Sequence, residues 1–437
     1  MSSLSRVSRR RFLGMMGAMA APAIVPASVF GANAPSERIG IGMIGMGRQA
    51  RYANLKPFLH SPETVVLAVC DVDAWRLANA RADVEKHYAA QTRSGAYKGC
   101  ATYVDFRDLL ARADIDAVMI SSPDHWHVPH AIAAVRAGKD ISVEKPLTLS
   151  IAEGRALSNE VRRYARVSRT DSEFRSIGYM RRACELVLNG RIGKLKSIRT
   201  GVPRGDVGCS PQPVMPVPKE LSYDLWLGPA PEAPYTHHRV HTPKSYARPG
   251  WMRVRDYCDG MICNWGTHLN DIAQWGHGTD RTGPVEIEAT GQFPTDGLWN
   301  VLLRFEVRYK FADGVDMVYE CSRPYTRFEG TDGWVQANYG KGLTAEPASL
   351  LREPIGEGVI HLPRRSDKGD FIHCIKTREE TMEPVEVGHR TNSLCQLGLI
   401  AIERGKKLRW DPDREVFLND ETANRMLTRP LRAPWTL

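Results

Sequence analysis

The 437-residue sequence lacks several patterns that define special classes of protein. It contains no Cys-x-x-Cys pair, and its nine cysteines are unevenly spaced, which argues against a zinc site and a disulfide framework. It has no block of lysine and arginine, so a formal charge of +9 is weak support for a nucleic-acid partner, and we predict none. It has no internal repeat or low-complexity tail. The 42% hydrophobic and 25% charged residues are typical of a globular protein, and the length predicts two domains.

Acidic residues are absent from the first 34 positions, which differ from the rest of the chain. Ser8 to Gly14 read Ser-Arg-Arg-Arg-Phe-Leu-Gly, and a moderately apolar stretch follows. A basic start and a short apolar stretch are typical of an export signal, and the paired arginines match the twin-arginine (Tat) signal. The stretch is too short for stable membrane insertion. We expect residues 1–34 to be a Tat signal peptide, the Tat machinery to be a partner, and the protein to be periplasmic or otherwise exported.

An apolar run that begins at Ile39 ends in a glycine-rich turn, Gly45-Met-Gly-Arg-Gln-Ala50. This fits G-x-G-x-x-A, the turn in which a dinucleotide pyrophosphate meets a helix N-terminus. A second apolar run ends at Asp71, 21 residues after Ala50, close to the roughly 20 expected for a ribose-binding acid. Asp71 favours NAD, while the nearby Arg76 leaves NADP open. The predicted cofactor contacts in this region are Gly45, Gly47, Arg48, Ala50, Asp71 and Arg76.

Strand and helix patterns alternate up to about residue 150 and then change. The alternation predicts a doubly wound parallel sheet, and we assign residues 35–150 to an NAD(P)-binding Rossmann domain. Long β-type segments follow, including 196–202, 285–293, 301–311 and 315–321. They predict a large, open, mainly antiparallel sheet in a substrate-binding domain over residues 151–437. The predicted fold class is therefore α/β plus α+β.

Two segments at the ends of predicted Rossmann strands carry a family resemblance. They are Ser122-Pro-Asp-His-Trp-His127 and Glu144-Lys-Pro146. The Glu-Lys-Pro segment at the end of a Rossmann strand resembles that of the Gfo/Idh/MocA family of oxidoreductases. The resemblance to this family extends from Arg38 to Leu437, and the sequence looks closest to the Tat-exported bacterial branch. The resemblance implies that Lys145 lies beside the nicotinamide and the substrate hydroxyl, and that the Pro146 peptide is cis. The further cofactor contacts expected are Ser122, Pro123, His127, Glu144 and Lys145.

The segment Asn264-Trp-Gly-Thr-His268-Leu-Asn-Asp271 is similar to the family pattern Asp-x-Gly-x-His-x-x-Asp. Positions 264, 268 and 271 have the spacing of one helix face. We predict His268 as the general base, since imidazole titrates near neutrality. Asp271 orients His268 or ties down the helix. Asn264 replaces the first acid of the pattern and can donate a hydrogen bond but cannot take up a proton, so the acid–base chemistry falls to His268 and Lys145.

Several aromatic and polar residues of the second half are candidates for contact with a sugar. Tryptophans 226, 251, 265 and 275 flank the His268 segment in sequence, and indole rings stack on apolar sugar faces. The His-His-Arg-Val-His run at 237–241 has no acid or cysteine close in sequence, which favours a substrate loop over a metal site. The predicted substrate contacts are Trp265, Tyr235, His237 and Arg175, and we predict no metal ligand.

These patterns together favour an NAD(P)-dependent sugar oxidoreductase that holds its cofactor tightly. One alternative is an NAD-dependent glycosidase that works by transient oxidation and elimination, which the same residues would serve. A second alternative is a non-catalytic, cofactor-loaded sugar-binding protein, which the Asn264 departure favours. The resemblance also implies a homo-oligomer.

Overall fold

The computed structural model describes residues 38–437 except 207, 353, 357 and 358. The predicted signal peptide, residues 1–34, lies outside the described residues. From Ile39 to Leu437 the chain folds around two β-sheets. None of the described helices is long and apolar enough to cross a membrane.

The first sheet has six parallel strands in the order β3-β2-β1-β4-β5-β6. The strands are β1 Ile39–Ile44, β2 Thr64–Cys70, β3 Ala101–Tyr103, β4 Ala117–Ile120, β5 Asp140–Glu144 and β6 Ser168–Asp171. Strands β1, β4 and β5 are buried along their whole length, as strands with both faces covered must be. Residues of β1 and β4 are divided between two hydrophobic clusters on opposite faces of the sheet: Ile41 of β1 belongs to one cluster and Val118 of β4 to the other. The predicted doubly wound parallel sheet is confirmed.

Two strands of this sheet have weak sequence signals. Strand β3 has only three residues, too few for a periodic pattern. Strand β6 reads Ser-Arg-Thr-Asp, yet all four residues are buried, because Arg169 is paired with the carboxylate of Asp370 at 2.8 Å. Strand β6 follows residue 150 in the chain, and the domain boundary that we drew there stays a prediction.

Helices connect the strands of the first sheet. A π-helical turn at Ala50–Asn54 follows the glycine turn. The α-helices of this half are Leu55–His60, Ala74–His87, Ala89–Arg93, Phe106–Leu110, Asp124–Arg136 and Ile151–Tyr164. The helix Asp124–Arg136 begins directly after Pro123, so the Asp-His-Trp-His segment forms its first turn.

The second sheet has nine strands in the order β13-β12-β11-β7-β10-β9-β8-β14-β15. The strands are β7 Leu195–Val202, β8 Glu286–Gln292, β9 Arg304–Lys310, β10 Asp316–Cys321, β11 Tyr325–Gly330, β12 Trp334–Asn338, β13 Gly342–Glu346, β14 Leu408–Asp411 and β15 Val416–Phe417. Only β7 and β10 pair in parallel among these neighbours. The large, mainly antiparallel sheet is therefore confirmed.

Helices pack on the second sheet around a core that includes Ile272, Val307 and Leu394. The α-helices of this half are Gly178–Leu188, Tyr223–Leu227, Met261–Asn264, Gly266–His277, Asp367–Thr377, Val385–Arg404 and Glu421–Arg425. Asn264 ends one helix and His268 belongs to the next, with Trp265 between them. The single helix face predicted for positions 264, 268 and 271 is therefore divided, and only His268 and Asp271 share a helix.

Candidate active site

A cavity of about 690 Å³ opens at the carboxyl ends of the parallel strands. The first half of the chain contributes residues that follow β1, β2, β4 and β5, and the second half contributes three tryptophans. The cavity includes these predicted site residues: Gly45, Gly47, Arg48, Asp71, Arg76, Ser122, Pro123, His127, Glu144, Lys145, Asn264 and Trp265. Its volume is typical of a small-molecule site, and its position is where open α/β sheets bind ligands.

The glycine turn forms one end of the cavity. Gly45 has φ +83°, and a Cβ there would lie 2.5 Å from the Ser122 backbone nitrogen. At Gly47 the nearest atom to a Cβ would be Arg76 Nη1 at 3.3 Å, so the backbone of Gly47 is open toward the cavity. Ala50 is buried and does not line the cavity; it lets the helix approach the strand. This cradle fits a pyrophosphate group.

Asp71 is fixed in place by backbone groups. One carboxylate oxygen accepts from Met46 N at 2.6 Å and the other from Asp73 N at 2.8 Å. Burial raises the pKa of Asp71. Arg76 lies beside it and donates to the Ser245 carbonyl at 3.4 Å. A carboxylate oxygen has a second lone pair, so Asp71 can still accept a ribose hydroxyl.

Lys145 lies where the two halves of the cavity meet. Its Nζ donates to the Asn264 carbonyl oxygen at 3.1 Å. The Lys145–Pro146 peptide is cis, as the family resemblance implies. The preceding Glu144 accepts from Asn54 Nδ2 at 2.8 Å, which holds the end of β5 against the helix that follows the glycine turn.

His127 connects the two family segments. Its Nδ1 lies 2.7 Å from the Pro146 carbonyl oxygen and its Nε2 lies 2.8 Å from the Ser122 carbonyl oxygen. Burial lowers the pKa of His127. The ring therefore fixes the relative position of the strand ends at β4 and β5.

His268 lies behind the cavity wall instead of in it. Its Nδ1 is hydrogen-bonded to the Ser172 carbonyl, and its ring stacks on Phe174 at 4.3 Å between centroids. Burial and the charge of Lys145 lower its pKa well below the ordinary value. A neutral ring that donates from Nδ1 to a carbonyl keeps its Nε2 as a proton acceptor. Trp265, whose ring lies 6.1 Å from that of His268, stands at the cavity surface.

Asp271 and Arg175 pair with each other away from the cavity. Arg175 Nη2 donates to Asp271 Oδ1 at 2.6 Å and Nε donates to Oδ2 at 2.9 Å. Both side chains are buried, and Arg175 also donates to the Met382 carbonyl at 2.8 Å. The prediction that Arg175 contacts substrate is not supported, since opposite buried charges bind each other. Through this ion pair Asp271 anchors its helix to Arg175, which is the second of the two roles considered for Asp271.

Tyr235 and His237 are not among the cavity residues either. Tyr235 is buried in a separate hydrophobic cluster and packs edge-on against Tyr223 at 5.4 Å. His237 Nδ1 lies 3.2 Å from Met215 Sδ. Tyr235 is therefore engaged in packing and His237 lies against Met215, so the prediction that they contact substrate is not supported.

The cavity also contains residues that sequence reasoning did not assign. They are chiefly Asp124, Trp226, Arg248, Trp251, Met252 and Tyr339. Trp226 and Trp251 belong to the tryptophan group noted in the sequence, which could have identified them. Trp275, from the same group, lies under the Arg175 guanidinium at 4.8 Å. Tyr339 comes from the turn between β12 and β13, far from either motif in sequence, and no local signal marks it.

The fold and the glycine cradle define a nucleotide-binding protein of the Rossmann type, and comparison with known families assigns the chain more closely. Residues 39–170 match the model described as "Oxidoreductase family, NAD-binding Rossmann fold", and residues 205–437 match the "C-terminal alpha/beta domain" of the same family. The second match alone covers more than half of the chain. The chain belongs to the Gfo/Idh/MocA oxidoreductase family, and its first domain binds NAD.

Individual relatives are more distant. A glycosyl hydrolase family 109 protein of Shewanella sp. (strain W3-18-1) is 35% identical over 127 residues, which is 29% of this chain and only 27% of the relative. Aldose-aldose oxidoreductase from Caulobacter crescentus has a similar structure, with TM-score 0.61 and 17% identity over 85% of this chain and 99% of that one. Levoglucosan dehydrogenase gives TM-score 0.60 and 18% identity, with the same shares. At these identities the solved structures establish the fold alone.

Proposed function

We propose that this protein transfers a hydride between NAD and a hydroxyl-bearing carbon of a sugar or sugar derivative. The observation that carries the proposal is the position of Lys145. Its Nζ lines one continuous cavity that has the glycine cradle at one end and Trp226, Trp251 and Trp265 elsewhere on its wall. Tryptophan rings stack on sugars, and a lysine ammonium donates to a hydroxyl oxygen.

The cofactor part of the proposal uses the first half of the cavity. Gly45, Gly47 and the helix N-terminus would hold the pyrophosphate, Asp71 the ribose, and Ser122 and Pro123 would border the nicotinamide end. NAD, when bound there, supplies the hydride acceptor. We further propose that it stays tightly bound.

The protein residues handle the hydroxyl proton. Lys145 Nζ, oriented by the Asn264 carbonyl, contacts the hydroxyl oxygen and exchanges its proton. Burial and the charge of Lys145 favour the neutral form of His268, whose Nε2 we propose as the final acceptor of this proton, beyond the residues that line the cavity. Asn264 donates a hydrogen bond to the sugar and takes no proton.

Export and assembly remain parts of the same proposal. We propose that residues 1–34 direct the folded, cofactor-loaded protein through the Tat pathway, and that the mature protein is periplasmic and forms a homo-oligomer. A cofactor that cannot exchange after export must be reset by a second substrate or another acceptor. Domain boundaries at residues 34 and 150 belong to this proposal as well.

A second candidate function is favoured by the curated relatives, which carry the name glycosyl hydrolase family 109. In that case the sugar would be oxidised transiently, the aglycone eliminated, and the sugar reduced again. The same cavity residues would serve, and NAD would return to its starting state within each turnover.

The test mixes the purified, cofactor-loaded protein with a panel of sugars and glycosides. Absorbance of the reduced nicotinamide and release of the aglycone are followed together. A lasting rise in absorbance with one compound supports the oxidoreductase and identifies its substrate class. Aglycone release without a lasting rise supports the glycosidase instead. If no compound gives either signal, both candidate functions are overturned.

A further inference from the structure

Asp124 is a cavity residue for which neither the family motifs nor the hydride transfer proposed above provides a role. It is the first residue of the helix Asp124–Arg136, directly after Pro123, at the carboxyl end of β4. It lines the same cavity as Lys145, which follows β5. The two residues therefore enter the cavity from neighbouring strand ends.

The Asp124 carboxyl is buried and incompletely bonded. Only 3% of the residue is exposed, and Oδ2 has no hydrogen-bond partner among the described residues. The thiol of Cys258 lies near the carboxyl and lowers its pKa. A buried carboxyl oxygen without a partner costs free energy, so its retention at a cavity wall points to a ligand that completes it.

The surroundings of Asp124 keep it protonated. Burial raises its pKa to about 8, with the acids Asp259 and Glu144 adding to the rise and with Cys258 and Lys145 opposing it. Of these acids, Asp259 is neutralised by Arg429 and Glu144 accepts from Asn54. The helix N-terminus opposes this rise, because it stabilises a carboxylate by about 0.3 to 2 kcal/mol. The raised pKa favours the protonated form of Asp124.

A protonated carboxyl can form hydrogen bonds that an ionised carboxylate cannot form. An ionised carboxylate only accepts hydrogen bonds, whereas a protonated carboxyl donates one and accepts others. A sugar hydroxyl also donates one and accepts others, so the two groups can bond reciprocally. Asp71 is already engaged by two backbone N–H groups and remains an acceptor.

We propose that Asp124 is a substrate-recognition residue, whose buried carboxyl at the cavity wall hydrogen-bonds a hydroxyl group of the sugar. This inference rests on the proposed function. It assigns a third polar anchor to the sugar besides Lys145 and Asn264, and it predicts that sugar binding weakens as pH rises through the raised pKa of Asp124, where a donor is lost.

Two substitutions separate the donor from the mere presence of a side chain. Asp124→Asn keeps the size, the neutral charge and a hydrogen-bond donor, while Asp124→Ala removes the group. Asp114→Asn is the matched control, because Asp114 is an exposed acid paired with Arg112 outside the cavity. Sugar affinity is measured by calorimetry on NAD-loaded protein, well below and well above pH 8. Infrared difference spectroscopy, which detects a protonated carboxyl directly, is run on the same proteins without sugar.

We expect Asp124→Ala to weaken sugar binding by about 10-fold to 100-fold, and Asp124→Asn to remain within about 3-fold of the parent at neutral pH. The affinity of the parent should fall above pH 8, whereas that of Asp124→Asn should stay level. The infrared band of protonated carboxyls should be weaker in Asp124→Asn than in the parent and Asp114→Asn; it should not vanish, because Glu173 and Glu383 also have raised pKa values.

If the parent protein transfers hydride, two results would overturn the inference about Asp124 and leave the proposed function standing. One is unchanged sugar affinity in Asp124→Ala, and the other is loss of NAD affinity in place of sugar affinity, which would assign Asp124 to the cofactor. An infrared band that is unchanged in Asp124→Asn would overturn the donor role of Asp124. Absence of hydride transfer with every sugar overturns the proposed function instead.

Discussion

Two groups of ionisable side chains in this protein differ in their bonding partners. In the cavity, Lys145 donates to a backbone carbonyl, Glu144 accepts from an amide, and one oxygen of Asp124 has no protein partner. In the interior, Arg175 is bound to Asp271 by a pair of short hydrogen bonds. Ionisable groups whose partners are neutral or missing can bind a ligand, whereas groups that form an ion pair with each other hold the fold together. The two groups differ in their partners and not in residue type, since each contains a base and at least one acid.

The largest expected effect is on the interior group. Asp271→Ala leaves the buried Arg175 without its main counter-ion, and we expect the free energy of unfolding to fall by about 3 to 5 kcal/mol. Chemical denaturation of the parent and the variant gives this value. The double variant Asp271→Leu with Arg175→Met should lose clearly less, because no uncompensated charge remains. A loss of under about 1 kcal/mol for Asp271→Ala would show that the pair is not structural.

The next effect is on the cavity group and should appear in turnover. Lys145→Ala removes the group that exchanges the hydroxyl proton, and we expect the rate of hydride transfer to fall by about 100-fold to 1,000-fold. The free energy of unfolding and the affinity for NAD should change little. Lys196→Ala, at an exposed position on β7, is the control and should keep full activity. An active Lys145→Ala variant would contradict the role assigned to Lys145.

A smaller effect concerns the phosphate cradle alone. Gly47→Val places a side chain where only the Arg76 guanidinium lies within reach, so the protein should fold but the pyrophosphate should be excluded. We expect the dissociation constant for NAD to rise by about 100-fold, measured by fluorescence titration. Gly283→Val is the matched control, since a Cβ there meets only ordinary contacts at 3.6 Å. Retained NAD affinity in Gly47→Val would contradict the cradle assignment.

The smallest effect tests the structural role of paired charges through pH. Burial opposes ionisation of Glu415, but hydrogen bonds from His389 and Arg155 outweigh it and lower the pKa of Glu415 to about 2. A lowered pKa means that stability is present above the ordinary glutamate pKa of about 4.3 and is lost as pH falls toward 2. We expect Glu415 to account for about 2 kcal/mol of this loss.

Denaturation curves recorded between neutral pH and pH 2 provide the measurement. The variant Glu415→Gln should be less stable than the parent at neutral pH and should lose less stability on acidification. Parallel pH dependence in the two proteins would show that Glu415 is not the titrating group.

Much of the fold followed from local patterns. The buried strand before Gly45 and the spacing to Asp71 predicted the nucleotide half correctly, because a parallel strand, a tight turn and a helix each have their own residue preferences. The long β-type segments predicted the second sheet. Strand β6 could not be predicted, because its polar residues are buried only through ion pairs with residues about 200 positions away.

The sequence by itself determined the class of fold, the glycine cradle and the Glu-Lys-Pro segment, since these depend on residues that are neighbours in the chain. It did not determine which of the polar residues face the ligand. The tertiary structure decided that Arg175 binds Asp271, that Tyr235 and His237 are not cavity residues, and that Tyr339 and Asp124 line the cavity. Exposure to a cavity depends on which distant side chains pack against each residue, and this is fixed only when the two sheets and their loops have come together.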